Sequence, residues 1–88
     1  MPVLSTFYGI IVRMYQEKGG RHKTPHIHAE FSGDEVVLSL DGEVLEGSIP
    51  KNKLKLLEAW VVIHHDDLEA NWKLLSDGEQ FFRIDPLK

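Results

Sequence analysis

Hydrophobic and polar positions repeat with two different periods along this chain, and the change of period divides it. Over residues 7–15, Tyr8, Ile10, Val12 and Met14 form an apolar parity, while Phe7, Gly9, Ile11, Arg13 and Tyr15 form a mixed one. Side chains on a strand point alternately to opposite faces, so this stretch reads as a first strand, with Gly9 a bulge or a point of close backbone approach. Residues 16–24 are polar, with Gly19-Gly20 where the chain can reverse. After Pro25 the alternation is strict. His26, His28 and Glu30 share one parity, and Ile27, Ala29 and Phe31 share the other. Residues 26–32 therefore read as a second strand, antiparallel to the first, with Ile27, Ala29 and Phe31 turned to the core. Gly33-Asp34 turns the chain into a third strand over 35–40. Asp41-Gly42, a strong hairpin signal, leads into a fourth over 43–49.

The period then lengthens. Leu54, Leu57, Val61, Leu68, Trp72 and Leu75 fall at spacings that mark one face of a helix, and Pro50 stands at its start. His64 fills the gap in this stripe, and Asp66 with Glu69 has capping-box spacing. Two helices follow, over 50–64 and 67–76, bent near His65-Asp66 and closed by Asp77-Gly78; one continuous helix is the alternative. Residues 81–85 read as a short last strand, stopped by Pro86. Strands first and helices after give an α+β fold: an antiparallel four- to five-stranded meander sheet with two C-terminal helices packed on one face. Two details stand outside that pattern. Trp60, with Leu56 and Ile63, makes the first helix apolar over a flanking face, as in a helix that is deeply buried or covered by a partner. Lys51, Lys53 and Lys55 crowd its first turn, where the helix dipole disfavours cations.

A chain of 88 residues is one domain, 1–88. Its 42% hydrophobic and 27% charged residues suit a packed fold rather than a disordered chain. The absence of cysteine excludes disulfides, thiolate metal sites and a cysteine nucleophile, and suits a reducing compartment. With no signal-like start and no stretch able to span a bilayer, the expected location is cytoplasmic, away from membranes. A net charge of −4 opposes wrapping of nucleic acid by bulk electrostatics. Within this acidic chain the loop carrying Lys18, Arg21, His22 and Lys23 is the most basic stretch, so Arg21, His22 and Lys23 are anion-binding candidates.

The chemistry concentrates on the second strand. Two histidines two residues apart on one face can present nitrogens to a single ion, with Glu30 or His22 as a third ligand, and zinc and iron both accept imidazole and carboxylate. An unperturbed imidazole titrates near neutral pH and suits proton transfer, and Arg13 and Tyr15 could hold an anion such as a phosphodiester. His22, His26, His28, Glu30, Arg13 and Tyr15 are thus the candidates for a hydrolase or nuclease. The plainer reading is that an outward sheet face must be polar and histidine serves. His64 and His65 point about 100° apart on a helix and do not share an ion. His64 reads as a half-buried core residue and His65 as a solvated one.

Phe7-Tyr8-Gly9-Ile10, Arg13-Met14-Tyr15, His22-x-x-Pro25-His26-Ile27-His28-Ala29-Glu30-Phe31, Leu45-Glu46-Gly47-x-Ile49-Pro50 and Asn71-Trp72 follow one another in an order that resembles the small bacterial domain-of-unknown-function family 4160. The resemblance covers nearly the whole chain, is most specific around Pro25, and departs at Thr24, where a second proline is expected. It implies no established activity. It does imply a small protein partner encoded nearby, a role of toxin–antitoxin type, and an RNA or DNA target. It adds Tyr8 to Arg13, Tyr15, His22, His26, His28 and Glu30 as residues of the working site. The expectation is an interaction module that uses Trp60 and its helix to bind a partner or a second copy, and the histidine surface to bind its target.

Overall fold

The computed structural model describes residues 3–15 and 24–88. Five strands in sequence order, β1 (Val3–Phe7), β2 (Ile10–Arg13), β3 (His26–Phe31), β4 (Asp34–Ser39) and β5 (Val44–Gly47), form one antiparallel meander, followed by α1 (Lys51–Ile63) and α2 (His65–Ser76). The α+β expectation is met. The core lies between the sheet and the helices, where Ile10, Val12, Ile27, Ala29, Val36 and Leu38 face Leu57, Trp60, Val61 and Leu68.

The first strand is the largest departure from the sequence pattern. Tyr8 and Gly9 have φ of 49° and 80°, so they form a two-residue turn with both residues in the left-handed region, and Phe7 pairs directly with Ile10. Such turns match the right-handed twist of the flanking strands. What reads as one strand over 7–15 is therefore the end of β1, a turn and β2. The turn also reverses the parity, so Phe7 is buried in the core and Tyr8 is 52% exposed. The next turn works in the same way. Ser32 and Gly33 have φ of 48° and 87°, and Asp34 is already the first residue of β4 opposite Phe31. At the Asp41-Gly42 turn the buried Ser39 hydroxyl accepts from the N–H groups of Asp41 and Glu43.

The helices break at His64 (φ −106°, ψ 22°), one residue before the expected bend. The expected capping box is not formed, because α2 begins at His65, and Asp66 and Asp67 lie within its first turn, where their charges suit the helix dipole. Lys53 in the first turn of α1 has a clear role: its Nζ donates to the Tyr8 carbonyl at 3.2 Å and lies 5.1 Å from the centre of the Phe31 ring. This cation–π contact ties α1 to two turns of the meander. The helix α2 ends as expected. Glu79 N–H reaches Leu74 C=O and Gly78 N–H reaches Leu75 C=O, a Schellman motif with Gly78 at φ 75°. Beyond it no last strand forms. Residues 81–86 run as an irregular strap over the end of the sheet, with Ile84 buried and its N–H on the Leu4 carbonyl.

Candidate functional site

The strict alternation of β3 sends Ile27 and Ala29 into the core and His26, His28 and Glu30 to the opposite sheet face. Register then sets their neighbours. Arg13 lies opposite His28 on β2, and Ser39, Val37 and Glu35 lie opposite His26, His28 and Glu30 on β4. This face is polar, yet it is not the open surface that the alternation suggests. His26 is 0% and His28 6% exposed. Aromatic rings account for part of the cover. The Trp72 ring of α2 lies 5.3 Å from the His26 ring, and the Tyr15 ring stacks on His28 at 4.3 Å and 14°. The two imidazoles meet edge to face at 5.2 Å. Trp72 thus serves the core and also reaches around to the histidines, a contact that the helical stripe alone does not reveal.

Both imidazoles are fixed through Nδ1. His26 Nδ1–H donates to the Thr24 carbonyl at 2.6 Å, and His28 Nδ1–H donates to the Glu35 carboxylate at 3.2 Å. Each acceptor oxygen can only accept, so Nδ1 carries the proton and, in the neutral ring, Nε2 carries the lone pair. Both Nε2 atoms are buried. An imidazole whose Nδ1–H is held by a carbonyl or carboxylate is the arrangement that orients histidine as a metal ligand or a general base. Beside this pair, Arg13 reaches the Glu30 carboxylate at 2.6 Å, with both side chains half-buried. The result is a band across β2, β3 and β4: an Arg–Glu pair, then a histidine clamped between a tyrosine ring and a second glutamate.

The expected ligand set of His26, His28 and Glu30 is not assembled. Alternate residues on a strand are about 6.6 Å apart, so the first and third lie roughly 13 Å apart along the backbone, beyond the reach of one ion. Glu30 is instead turned onto Arg13. Among the described residues no group of three or more histidine, aspartate or glutamate side chains is placed to hold a metal ion. The candidates Arg21, His22 and Lys23, and the rest of the basic loop over 16–23, lie outside the described residues.

Trp60 is the clearest correction. It is completely buried, packs 5.3 Å from the Phe7 ring, and donates its indole N–H to the Asp85 carbonyl at 2.8 Å. Of the flanking face, Trp60 is covered by this chain's own strap and Leu56 is half-buried, while Ile63 is exposed. The exposed apolar residues of α1 are Val62 and Ile63. His64 is half-buried beside the Trp60 ring, as expected. His65 sits among Asp41, Asp66 and Glu69 at 3.4–3.8 Å, tying α2 to the β4–β5 turn. Sequence reasoning passed over Glu35, which reads as an ordinary strand-start carboxylate. Its cross-strand position next to His28 becomes visible only once the Ser32-Gly33 turn sets the register.

A family model described as a domain of unknown function, DUF4160, matches residues 9–73. No curated protein and no solved structure matches the chain. No helix among the described residues is long and apolar enough to cross a membrane.

Proposed function

The chain belongs to the DUF4160 family, and from that premise we propose that it is a small interaction module, one half of a two-gene bacterial system of toxin–antitoxin type. Its working surface is the band of Tyr15, His28 and Glu35 with the Arg13–Glu30 pair beside it. The observation that carries this reading is the fixed orientation of two buried imidazoles, His26 and His28, on a sheet face that could have been filled with apolar side chains. Buried polar groups that are fully oriented add specificity more than stability, and local departures from the best packing gather at working sites. Tyr8 supports the same reading. An exposed aromatic residue at φ 49° holds a conformation that asparagine or glycine would adopt at lower cost.

The net charge of −4 and the carboxylates of Glu30 and Glu35 on this face favour a protein as the direct partner, with RNA or DNA reached through the complex. The module would act in the cytoplasm. The test is co-expression with the small protein encoded next to it. The His26→Leu/His28→Leu double variant is expected to fold, by circular dichroism, and to lose co-purification and cellular effect. A folded double variant with undiminished complex and effect removes the histidine band from the function.

An acid–base hydrolase or nuclease is the second reading, and the His28–Glu35 hydrogen bond favours it. A carboxylate on Nδ1 stabilises the imidazolium that forms when Nε2 accepts a proton. Glu35→Gln separates the two readings: it keeps the hydrogen bond and hence partner binding, while turnover of a phosphodiester substrate falls by about two orders of magnitude.

A further inference from the structure

The two helices treat their ends differently. The helix α2 follows the helix dipole, with Asp66 and Asp67 in its first turn and Lys73 in its last. The helix α1 departs from it. It has no acid in its first turn and no base in its last, its N-cap Pro50 offers no side-chain bond, and Lys51 and Lys55 stand exposed near its start. Lys53 has its place between the Tyr8 carbonyl and the Phe31 ring. Lys51 and Lys55 form no ion pair among the described residues. The far end of α1 breaks a second rule. Val62 and Ile63 are 71% and 64% exposed, the two most exposed large hydrophobic side chains among the described residues. Both are β-branched, so neither favours a helix as lysine, glutamate or alanine would at the same open positions.

At about 100° per residue, Lys51, Asn52, Lys55, Ala59, Val62 and Ile63 share one arc of about 120° on α1, and all are exposed. The arc is turned away from Leu57, Trp60 and Val61, which enter the core. It carries cations at one end, aliphatic side chains at the other and no acid. Beside Ile63 the aliphatic end has depth: a cleft of about 330 Å³ is bounded by Ile63, His64, Asp85, Pro86, Leu87 and Lys88. An open helix face ordinarily carries charged and polar residues along its length. Here both ends go against local stability, and choices of that kind gather where a surface works.

We propose that this outer arc of α1 docks an acidic amphipathic helix of another protein. Aliphatic side chains of that helix meet Val62 and Ile63 and enter the cleft. Its carboxylates, about two turns away, meet Lys51 and Lys55; Lys55 and Val62 are themselves about 10.5 Å apart along α1. Charge complementarity selects this occupant. The chain as a whole carries −4, so an acidic helix is repelled elsewhere and held where the lysines stand. A second copy fits poorly: two such arcs packed antiparallel lay lysine on valine and isoleucine, and packed parallel they set lysine against lysine. Nucleic acid would use the lysines and leave the aliphatic end bare in water. The arc lies on the helix layer, across the sheet from His28, so it adds a second surface and does not rest on the histidine band.

Fluorescence anisotropy with two designed helical peptides, each about four turns long, tests the assignment. Both carry the same leucine stripe, one with glutamate flanks and the other with lysine flanks. The unaltered chain is expected to bind the glutamate peptide about ten-fold more tightly, a preference that fades as salt approaches about 1 M. Lys51→Glu/Lys55→Glu should reverse the preference and also melt at a higher temperature than the parent, because acids suit the start of a helix. Val62→Gln/Ile63→Gln should lose both peptides while remaining folded by circular dichroism, since both side chains are exposed. The proposal is overturned by equal binding of the two peptides, by a preference that survives the lysine reversal, or by undiminished binding to the glutamine variant. Two other results also overturn it. One is tighter binding of a labelled single-stranded oligonucleotide that depends on Lys51 and Lys55 alone. The other is a dimer, by light scattering, that Val62→Gln/Ile63→Gln dissolves.

Discussion

Replacing Gly47 with alanine should damage this fold far more than the same change at any of the open turn glycines. Gly47 closes β5 at φ 77° and lies against the backbone of β4. A Cβ there would collide with the Glu35 carbonyl oxygen and lie 3.3 Å from Val36 Cα. That carbonyl already accepts the Ser48 N–H at 3.0 Å. Three terms add. A non-glycine residue in the left-handed region costs about 1–2 kcal/mol. Separating the strands far enough to admit the methyl breaks or stretches a hydrogen bond worth about 1 kcal/mol, with a further part of a kilocalorie for the packing lost beside Val36. The reduced freedom of the unfolded chain returns about 0.4–1 kcal/mol. The net loss is about 2–3 kcal/mol, or a fall in melting temperature of roughly 10–20 °C in a domain of this size. Gly42→Ala is the control. It has φ 91° and nothing within 4 Å of an added Cβ, so it carries the conformational cost alone, about 1 kcal/mol or less. Denaturant unfolding followed by the fluorescence of buried Trp60 measures both. If Gly47→Ala is within about 0.5 kcal/mol of Gly42→Ala, the close approach of β5 to Glu35 is not a constraint and the reasoning fails. Because Glu35 also holds His28 Nδ1, Gly47→Ala should weaken partner binding at temperatures where it remains folded.

Three further outcomes follow from single contacts. Tyr8→Asn relieves the left-handed strain and should raise stability by about 0.5–1 kcal/mol in a thermal melt while weakening partner capture; a variant less stable than the parent would show that Tyr8 is held by packing rather than by its turn. Trp60→Phe keeps most of the ring packing but leaves the Asp85 carbonyl without its donor, so a loss of about 1–3 kcal/mol is expected in urea titration, and a loss below 0.5 would make that bond incidental. Arg13→Gln should cost less than about 1 kcal/mol of stability, because the pair with Glu30 is partly solvated, and its larger effect should fall on complex formation measured by calorimetry.

How much of this could be read from residues alone depended on whether a local pattern decided the outcome. The alternation from His26 to Phe31 placed β3 and its core parity, because a one-residue slip would expose Ile27 and Ala29. The helical stripe placed α1 and α2 within a residue or two. The Tyr8-Gly9 turn was hidden because tyrosine is not a turn former, and Phe7, Tyr8 and Ile10 read as an unbroken apolar run. The final strand failed for a different reason. Phe81 to Asp85 has strand-like residues, but the side chains of Trp60 and Asn71 take the Asp85 and Phe82 main-chain groups, which leaves a single Ile84–Leu4 bond to the sheet edge. Part of the cover of His26 and His28 comes from Trp72, far along the chain on α2, and from Tyr15, just past the end of β2, and no period in β3 reports such neighbours. The same holds for Trp60, whose cover is a strap synthesised 25 residues later.

The meander order has a kinetic side. Each strand pairs with its neighbour in sequence, so hairpins can close in the order of synthesis without waiting for distant segments, a topology that folds quickly. The completed sheet still has its apolar face bare until α1 and α2 arrive, and the strap that seals Trp60 and Asn71 follows both helices. Newly made chains therefore pass through a stage in which two buried anchors stand open beside an unfinished sheet edge. That stage is short on one chain, but among chains made close together it is the moment at which the choice of neighbour is made.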